Sequence, residues 1–239
     1  MSTPVRALLE APLRLLYPPR CPGCDQVGLA DGAALCAACA ASLTELGAAC
    51  PRCAQPMPGE LSLPCARCRA RPLGLVIHAP WRYGGALADA VRRLKFHRQA
   101  WVAGALAPLL APYLDATVRH GEAALVVPVP LHWRRRSQRG FDQVALLVAA
   151  ARPPVPIAYA LRRRRGGPPH SDLGAAARIA SARGAFVVGR RAARRVAGQR
   201  VVLVDDVCTT GATLDAAATA LRAAGAACVI GLALARAEP

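Results

Sequence analysis

Lysine is all but missing from this chain: of its 31 basic residues only Lys95 is not arginine. Acidic residues are also scarce, 14 in 239, and the formal net charge of +17 points to anionic partners such as phosphates or nucleic acid. Aromatic residues make up 4% of the chain, so a base-stacking surface would have to rest on a few of them, such as Trp81, Tyr83, Trp133 and Phe141. No apolar run is long and clean enough to read as a membrane span, since "VALLVAAARPPVPIAYAL" carries Arg152 and three prolines. The opening "MSTPVRALLEAPLRLLYPPR" breaks its apolar residues with Arg, Glu and Pro, unlike a secretory leader. Residues 4–17 are expected to dock on the rest of the chain, with a membrane-surface contact as the alternative. The expected location is the cytoplasm, at or near the inner face of the membrane. The apolar content of 54% excludes a disordered class.

The wealth of Ala, Arg, Gly and Pro reads as GC-rich coding, under which runs of arginine by themselves say little. A lysine retained against that bias suits a site needing a compact ammonium rather than a planar fork. Chance survival of Lys95 stands as an equal alternative. The charge is uneven: residues 1–72 hold seven arginines against five acids, while the remainder holds twenty-four basic against nine acidic residues.

Ten cysteines divide sharply. Cys21, Cys24, Cys36 and Cys39 recur 29 residues later as Cys50, Cys53, Cys65 and Cys68. Each unit is C-x2-C, eleven residues, C-x2-C, and supplies four thiolates to a tetrahedral Zn²⁺. In a reducing compartment metal outranks disulfides for such a pattern. Sequential pairing within each repeat is the preferred reading, and interleaved sites are the alternative. Both centres read as structural, because four protein ligands leave no open position for water. Residues 1–72 are therefore expected to form a zinc-binding double ribbon, and residues 73–239 a second domain. Cys228 reads as a core residue of the strand "ACVIGLALA", and Cys208 as a small side chain in a loop.

The second domain alternates strand and helix. "LVIHAPWRY", "AALVVPVP", "VPIAYALRR", "AFVV", "RVVLV" and "ACVIGLALA" read as strands. "GALADAVRRLKFH", "FDQVALLVAAA" and "DLGAAARIASAR" read as helices, and "WVAGALAPLLAPYLDATV" as helix with proline interruptions. That order implies an α/β fold with a parallel sheet.

One stretch carries the chemistry. In "VVLVDDVCTTGAT" the apolar run Val201 to Val204 enters Asp205 and Asp206, at the strand end where open α/β sheets bind ligands. Thr209, Thr210, Gly211, Ala212 and Thr213 then offer backbone N–H groups and hydroxyls to a phosphate at a helix start, with Gly211 allowing a close approach. The paired carboxylates suit paired hydroxyls, so a sugar phosphate satisfies both halves. Two basic loops are expected to face the same crevice. "PVPLHWRRRSQRGFDQ" brings Arg134, Arg135, Arg136 and Arg139 with His132, and "RRRRGGPPHSD" brings a glycine- and proline-rich lid with His170.

Together these residues resemble the ComF family. "VVLVDDVCTTGAT" is similar to the phosphoribosyl-pyrophosphate (PRPP) motif of type I phosphoribosyltransferases; "CPGC", "CAAC", "CPRC", "CARC", "VPVPLHWRRRSQRGFDQ" and Lys95 point to ComF in particular. The resemblance implies a type I phosphoribosyltransferase fold preceded by a double zinc ribbon. It implies that Asp205 and Asp206 hold ribose hydroxyls, that Thr209 to Thr213 cradle the 5′-phosphate, and that Arg134, Arg135 and Arg139 meet the pyrophosphate with Mg²⁺. Lys95 matches a family lysine and joins the acid pair as an expected catalytic residue. ComF-type proteins are associated with DNA uptake in natural transformation, alongside a helicase-like partner, so single-stranded DNA is a further expected ligand. Either phosphoribosyl transfer or a PRPP-regulated, non-catalytic DNA-binding role is compatible with the resemblance. Asp142, His170 and Ser181 stand where the family pattern has Asn, Gln and Asn.

Overall fold

The structure, a computed structural model, describes residues 18–30, 32–59, 63–96, 98–121, 123–164 and 184–238. The lid, its His170, and the expected helix 172–183 with Ser181 lie outside those residues, as does the segment 4–17.

Each zinc ribbon is a knuckle followed by a one-turn helix. Isolated antiparallel bridges Arg20↔Val27 and Ala49↔Pro56 close the two knuckles, again 29 residues apart. Asp25 and Ala54, immediately after each first C-x2-C, sit at φ 66° and 55°. The second C-x2-C of each repeat opens a helix, α1 (Ala37–Ala41) and α2 (Ala66–Ala70), with Cys36 and Cys65 at the N-caps.

The α/β unit begins with β1 (Ile77–His78) and β2 (Trp81–Arg82), two pieces of the strand expected over "LVIHAPWRY". Helices α3 (Gly85–Phe96) and α4 (Trp101–Arg119) lead to β3 (Leu125–Pro128). The expected loop over "HWRRRSQRG" is instead a short helix, α5 (Trp133–Arg139), ended by Gly140 at φ 82°. Left-handed glycine is a common stop for a helix. Then follow α6 (Gln143–Ala151), β4 (Leu161–Arg163), β5 (Phe186–Val188), α7 (Arg190–Val196), β6 (Arg200–Cys208), α8 (Ala212–Ala223) and β7 (Cys228–Arg236).

The main sheet is parallel, in the order β1-β7-β6-β3, with β2 also on β7. An isolated parallel bridge, Val126↔Ile157, extends it past β3. The sheet is covered on both faces, and the strands show it by their period. Val201 and Leu203 enter one core with α8, while Val202 and Val204 enter the other with α3, α4 and α6. β4 and β5 do not join this sheet; they form a separate antiparallel pair.

Helix α4 runs unbroken through Pro108 and Pro112. Both prolines and Gly104 lie on its exposed side, where the carbonyls left without a partner reach water, so the expected interruption does not occur. By length and composition α4 could cross a bilayer. Its Val102, Leu106, Leu110 and Leu114 are fully buried in the core. Cys228 is exposed at the first position of β7 rather than in the core.

Candidate functional site

β6 continues through the acid pair to Cys208 instead of ending at Val204. On one side it stays paired with β7 as far as Cys208↔Arg236. On the other side the pairing with β3 ends at Pro128↔Val204, with the Val129 N–H donating to the Val204 carbonyl at 2.8 Å. From Asp205 onward that edge of β6, with the acid pair, no longer pairs with β3.

Asp206 is buried, with its side chain 6% exposed. It shares the face of Val202 and Val204, towards α3 and α6. Lys95, in the last turn of α3, places Nζ 2.7 Å from Asp206 Oδ1. Gln143, at the start of α6, donates from Nε2 to Asp206 Oδ2 at 3.0 Å. Arg139 in turn donates to Gln143 Oε1 at 2.8 Å and lies over the Phe96 ring, 5.3 Å from its centroid. A chain of contacts therefore runs Arg139, Gln143, Asp206, Lys95, and gives the buried carboxylate a cation and an amide donor.

Asp205 has less support. Its Oδ1 accepts the Asp206 backbone N–H at 2.8 Å. Burial and the Asp206 charge push its pKa up to about 7, against the opposing pull of Lys95, the Asp206 N–H and Arg163. Side by side in sequence, the two acids differ: Asp206 is neutralised by the protein, and Asp205 has a deficit of positive charge and donors that a ligand can supply.

The loop after β6 turns into α8 at Gly211, φ 79°. Its missing Cβ faces the protein, since a Cβ there would lie 2.8 Å from Ile77 Cδ1 and 2.9 Å from Leu73 Cδ1. The glycine serves packing and backbone conformation rather than ligand approach. Thr210 is buried and accepts the Ala212 N–H at 3.3 Å, while Thr213 is partly exposed. Cys208 is buried, and burial pushes its thiol up to about 11, an unreactive state.

The structure thus brings together Asp205, Asp206, Lys95, Arg139 and residues 209–213. Arg139 differs from expectation: it is buried and reaches the acids through Gln143. Arg134 and Arg135 lie on α5, with their side chains outside the description. Gln143 was legible as the one polar residue of "QVALLVAAA", yet its role needed the fold. Asp142 caps α6 through the Ala145 N–H and also accepts the Leu131 N–H at 2.9 Å, tying the end of the β3 loop to the helix. Of the four aromatics expected to stack bases, Trp81, Tyr83 and Phe141 pack against the core, and the Trp133 side chain is not described. Tyr159, 64% exposed, borders a groove with Arg191 and Arg195 instead.

The metal centres are pre-formed. The sulfurs of Cys21, Cys24, Cys36 and Cys39 all lie within 4.8 Å of one another, as do those of Cys50, Cys53, Cys65 and Cys68. Pairing is therefore sequential, and the interleaved alternative falls. Cys24 and Cys36 are 3.7 Å apart, and so are Cys53 and Cys65. Zn–S bonds of about 2.3 Å in a tetrahedron require edges of about 3.8 Å, so both sets fit zinc. Burial opposes ionisation of Cys21 and Cys50, but backbone N–H donors, among them Cys36 and Cys65, outweigh it and lower each to about 6.

Residues 12–69 match the double zinc ribbon domain family, and residues 138–238 the phosphoribosyl transferase domain family. The DNA utilization protein YhgH of Salmonella typhi is 34% identical over 208 residues, spanning 82% of this chain and 87% of that one. YhgH of Escherichia coli K12 is 31% identical over the same shares. Competence protein ComFC of Streptococcus pneumoniae R6 is 28% identical over 82% of this chain and 84% of its own. A solved structure described as the allosteric regulatory enzyme of purine biosynthesis overlaps 56% of this chain and 26% of that one, at 28% identity and a TM-score of 0.36, too slight an overlap for comparing sites.

Proposed function

The chain belongs to the ComF family, that of YhgH and ComFC, with a double zinc ribbon ahead of a phosphoribosyltransferase domain, and from that premise we propose that it binds PRPP in the crevice at the end of β6 and serves DNA uptake. The observation that carries the reading is the acid pair of β6 beside a phosphate-type loop, with Asp206 already compensated by Lys95 and Gln143.

In this reading Asp205 and Asp206 accept the two ribose hydroxyls. The N–H groups and hydroxyls of residues 209–213 hold the 5′-phosphate at the start of α8. Lys95 pairs with Asp206, and hydroxyl donors relieve the repulsion that raises Asp205. The donors around the crevice are hard carboxylate oxygens, which fit Mg²⁺ brought in on the ligand's own oxygens; when bound, it would offset the charge of the diphosphate. Arg134 and Arg135, on the helix after β3, are the proposed diphosphate contacts.

The residues from 73 onward carry the charge excess, and the exposed Tyr159, which lines a groove with Arg191 and Arg195, is the proposed aromatic contact for a base of single-stranded DNA. Two thiolate zinc centres suit a reducing compartment, so the proposed location is the cytoplasm, at the inner face of the membrane beside a helicase-like partner.

The test is phosphorus NMR of PRPP and Mg²⁺ with the protein and a pool of bases and amines, comparing wild type with the Asp205→Asn/Asp206→Asn double variant. Signals perturbed by wild type alone support the site, and released pyrophosphate makes the protein an enzyme. PRPP signals that neither protein perturbs would sink the reading.

A further inference from the structure

The two zinc ribbons share one cysteine spacing and are unlike in what they touch. The first packs Leu29, Leu35 and Leu43 against Ala86 of α3 and Leu109 of α4, with Asp25 paired to Arg93 at 3.2 Å. Its knuckle position Gly23 is too close to α3 for a side chain, a Cβ there lying 2.9 Å from Ala86 Cβ. In the second ribbon the equivalent position is Arg52, and this knuckle is directed at the phosphate loop by two routes.

The first route is Arg236, the last residue of β7, 1% exposed. Its Nε donates to the Cys53 carbonyl at 3.2 Å and its Nη2 to Gln55 Oε1 at 2.6 Å, both in the second knuckle. Its Nη1 donates to the carbonyls of Cys208, at 2.9 Å, the last residue of β6, and of Thr209, the first of the loop that follows. A guanidinium so deeply buried must keep its donors satisfied, and these acceptors come from opposite sides. The second route is Arg52, whose carbonyl accepts the Ile77 N–H at 2.9 Å and whose Nη2 donates to the Leu73 carbonyl at 2.7 Å. Leu73 and Ile77 are the two side chains packed under Gly211.

We propose that Arg236 is a positioning residue that couples zinc in the second ribbon to the phosphate loop, so that ligand affinity in the crevice depends on the second zinc far more than on the first. Cys53 is at once a zinc ligand and the owner of the carbonyl that Arg236 holds. When the metal leaves, the knuckle relaxes and Arg236 loses one side of its cage. The Thr209 carbonyl then loses its Arg236 donor, the Cys208 carbonyl keeps only the Ala237 N–H, and the loop N–H groups lose their orientation. The inference rests on the reading of residues 209–213 as a phosphate site. Coupling of this kind is reciprocal, so a ligand in the crevice must also tighten zinc in the second ribbon.

The test uses the full chain with zinc counted in each preparation. PRPP affinity is measured by calorimetry with Mg²⁺, and hydrogen exchange of residues 209–213 is followed without ligand. The variants are Arg236→Lys, Cys68→Ser and Cys39→Ser, with Gln55→Ala as a milder change should a cysteine variant fail to fold. Arg236→Lys is expected to weaken PRPP about tenfold, and Cys68→Ser about tenfold more than Cys39→Ser. Both are expected to speed exchange of the loop amides while those inside β6 and β7 stay protected, and Gln55→Ala to do so in smaller measure. PRPP should slow chelator-driven loss of one zinc of the two in wild type, and not in Arg236→Lys. Equal effects of Cys39→Ser and Cys68→Ser, or an unchanged loop in Arg236→Lys, would overturn the coupling. If wild type does not bind PRPP, the ligand reading fails, and the ligand-free exchange comparison still decides whether the ribbon orders the loop.

Discussion

Replacing Asp205 with Asn should stabilise the ligand-free protein, and more so as pH rises. Burial and the neighbouring Asp206 raise the Asp205 pKa from the ordinary 3.8 to about 7. Below 3.8 the carboxyl is protonated whether the chain is folded or not. Between 3.8 and 7 the unfolded chain releases the proton and the folded one retains it, so stability falls with pH by up to about 1.4 kcal/mol per unit, and then levels off. The full interval corresponds to about 4 kcal/mol, which partial exposure of Asp205 to solvent reduces to about 2 kcal/mol. Asparagine keeps an oxygen for the Asp206 N–H and carries no charge. The gain of Asp205→Asn should therefore grow by about 1 kcal/mol between about pH 5.5 and pH 8. Urea denaturation of zinc-loaded wild type and variant at both pH values measures it. A gain independent of pH, or a loss at pH 8, would refute the argument that Asp205 is held against its own charge.

Lys95→Met should destabilise the fold by about 3 kcal/mol, because it leaves the buried Asp206 without its cation; in a double-mutant cycle Asp206→Asn should recover at least about 1 kcal/mol of that. Gly211→Ala should cost about 2 kcal/mol in denaturant, through its left-handed backbone and the collision with Leu73 and Ile77. Two equivalents of zinc should be found per chain by elemental analysis, and Co²⁺ substitution should give the visible spectrum of two tetrahedral tetrathiolate centres; one equivalent, or octahedral cobalt, would contradict the cysteine geometry.

Much of the site was legible along the chain because its parts are local. The apolar run, the two acids, and the threonine and glycine turn of residues 201–213 follow one another within a single strand, loop and helix start. Cysteine spacing is equally local, and a 29-residue offset announces a repeat without any fold. The misreadings of α4 and of the sheet share one cause, which is that the signal depended on what lay opposite, whereas that of α5 was local. The prolines of α4 were tolerated because they face water. α5 formed over a stretch read as loop because Gly140 could end it. β4 and β5 look like strands of the main sheet by composition, and nothing in composition says which sheet a strand joins.

The residues of this chain determined by themselves that it carries two zinc ribbons, a parallel α/β sheet, and a carboxylate pair ahead of a threonine- and glycine-rich turn. Only the tertiary structure decided which cysteines share a metal, that Asp206 is compensated by Lys95 and Gln143 while Asp205 is left in deficit, and that one ribbon of two reaches the loop through Arg236. Periodicity and short motifs are fixed over a few residues of backbone geometry, whereas ion pairing, burial and desolvation arise between groups brought together from distant parts of the chain.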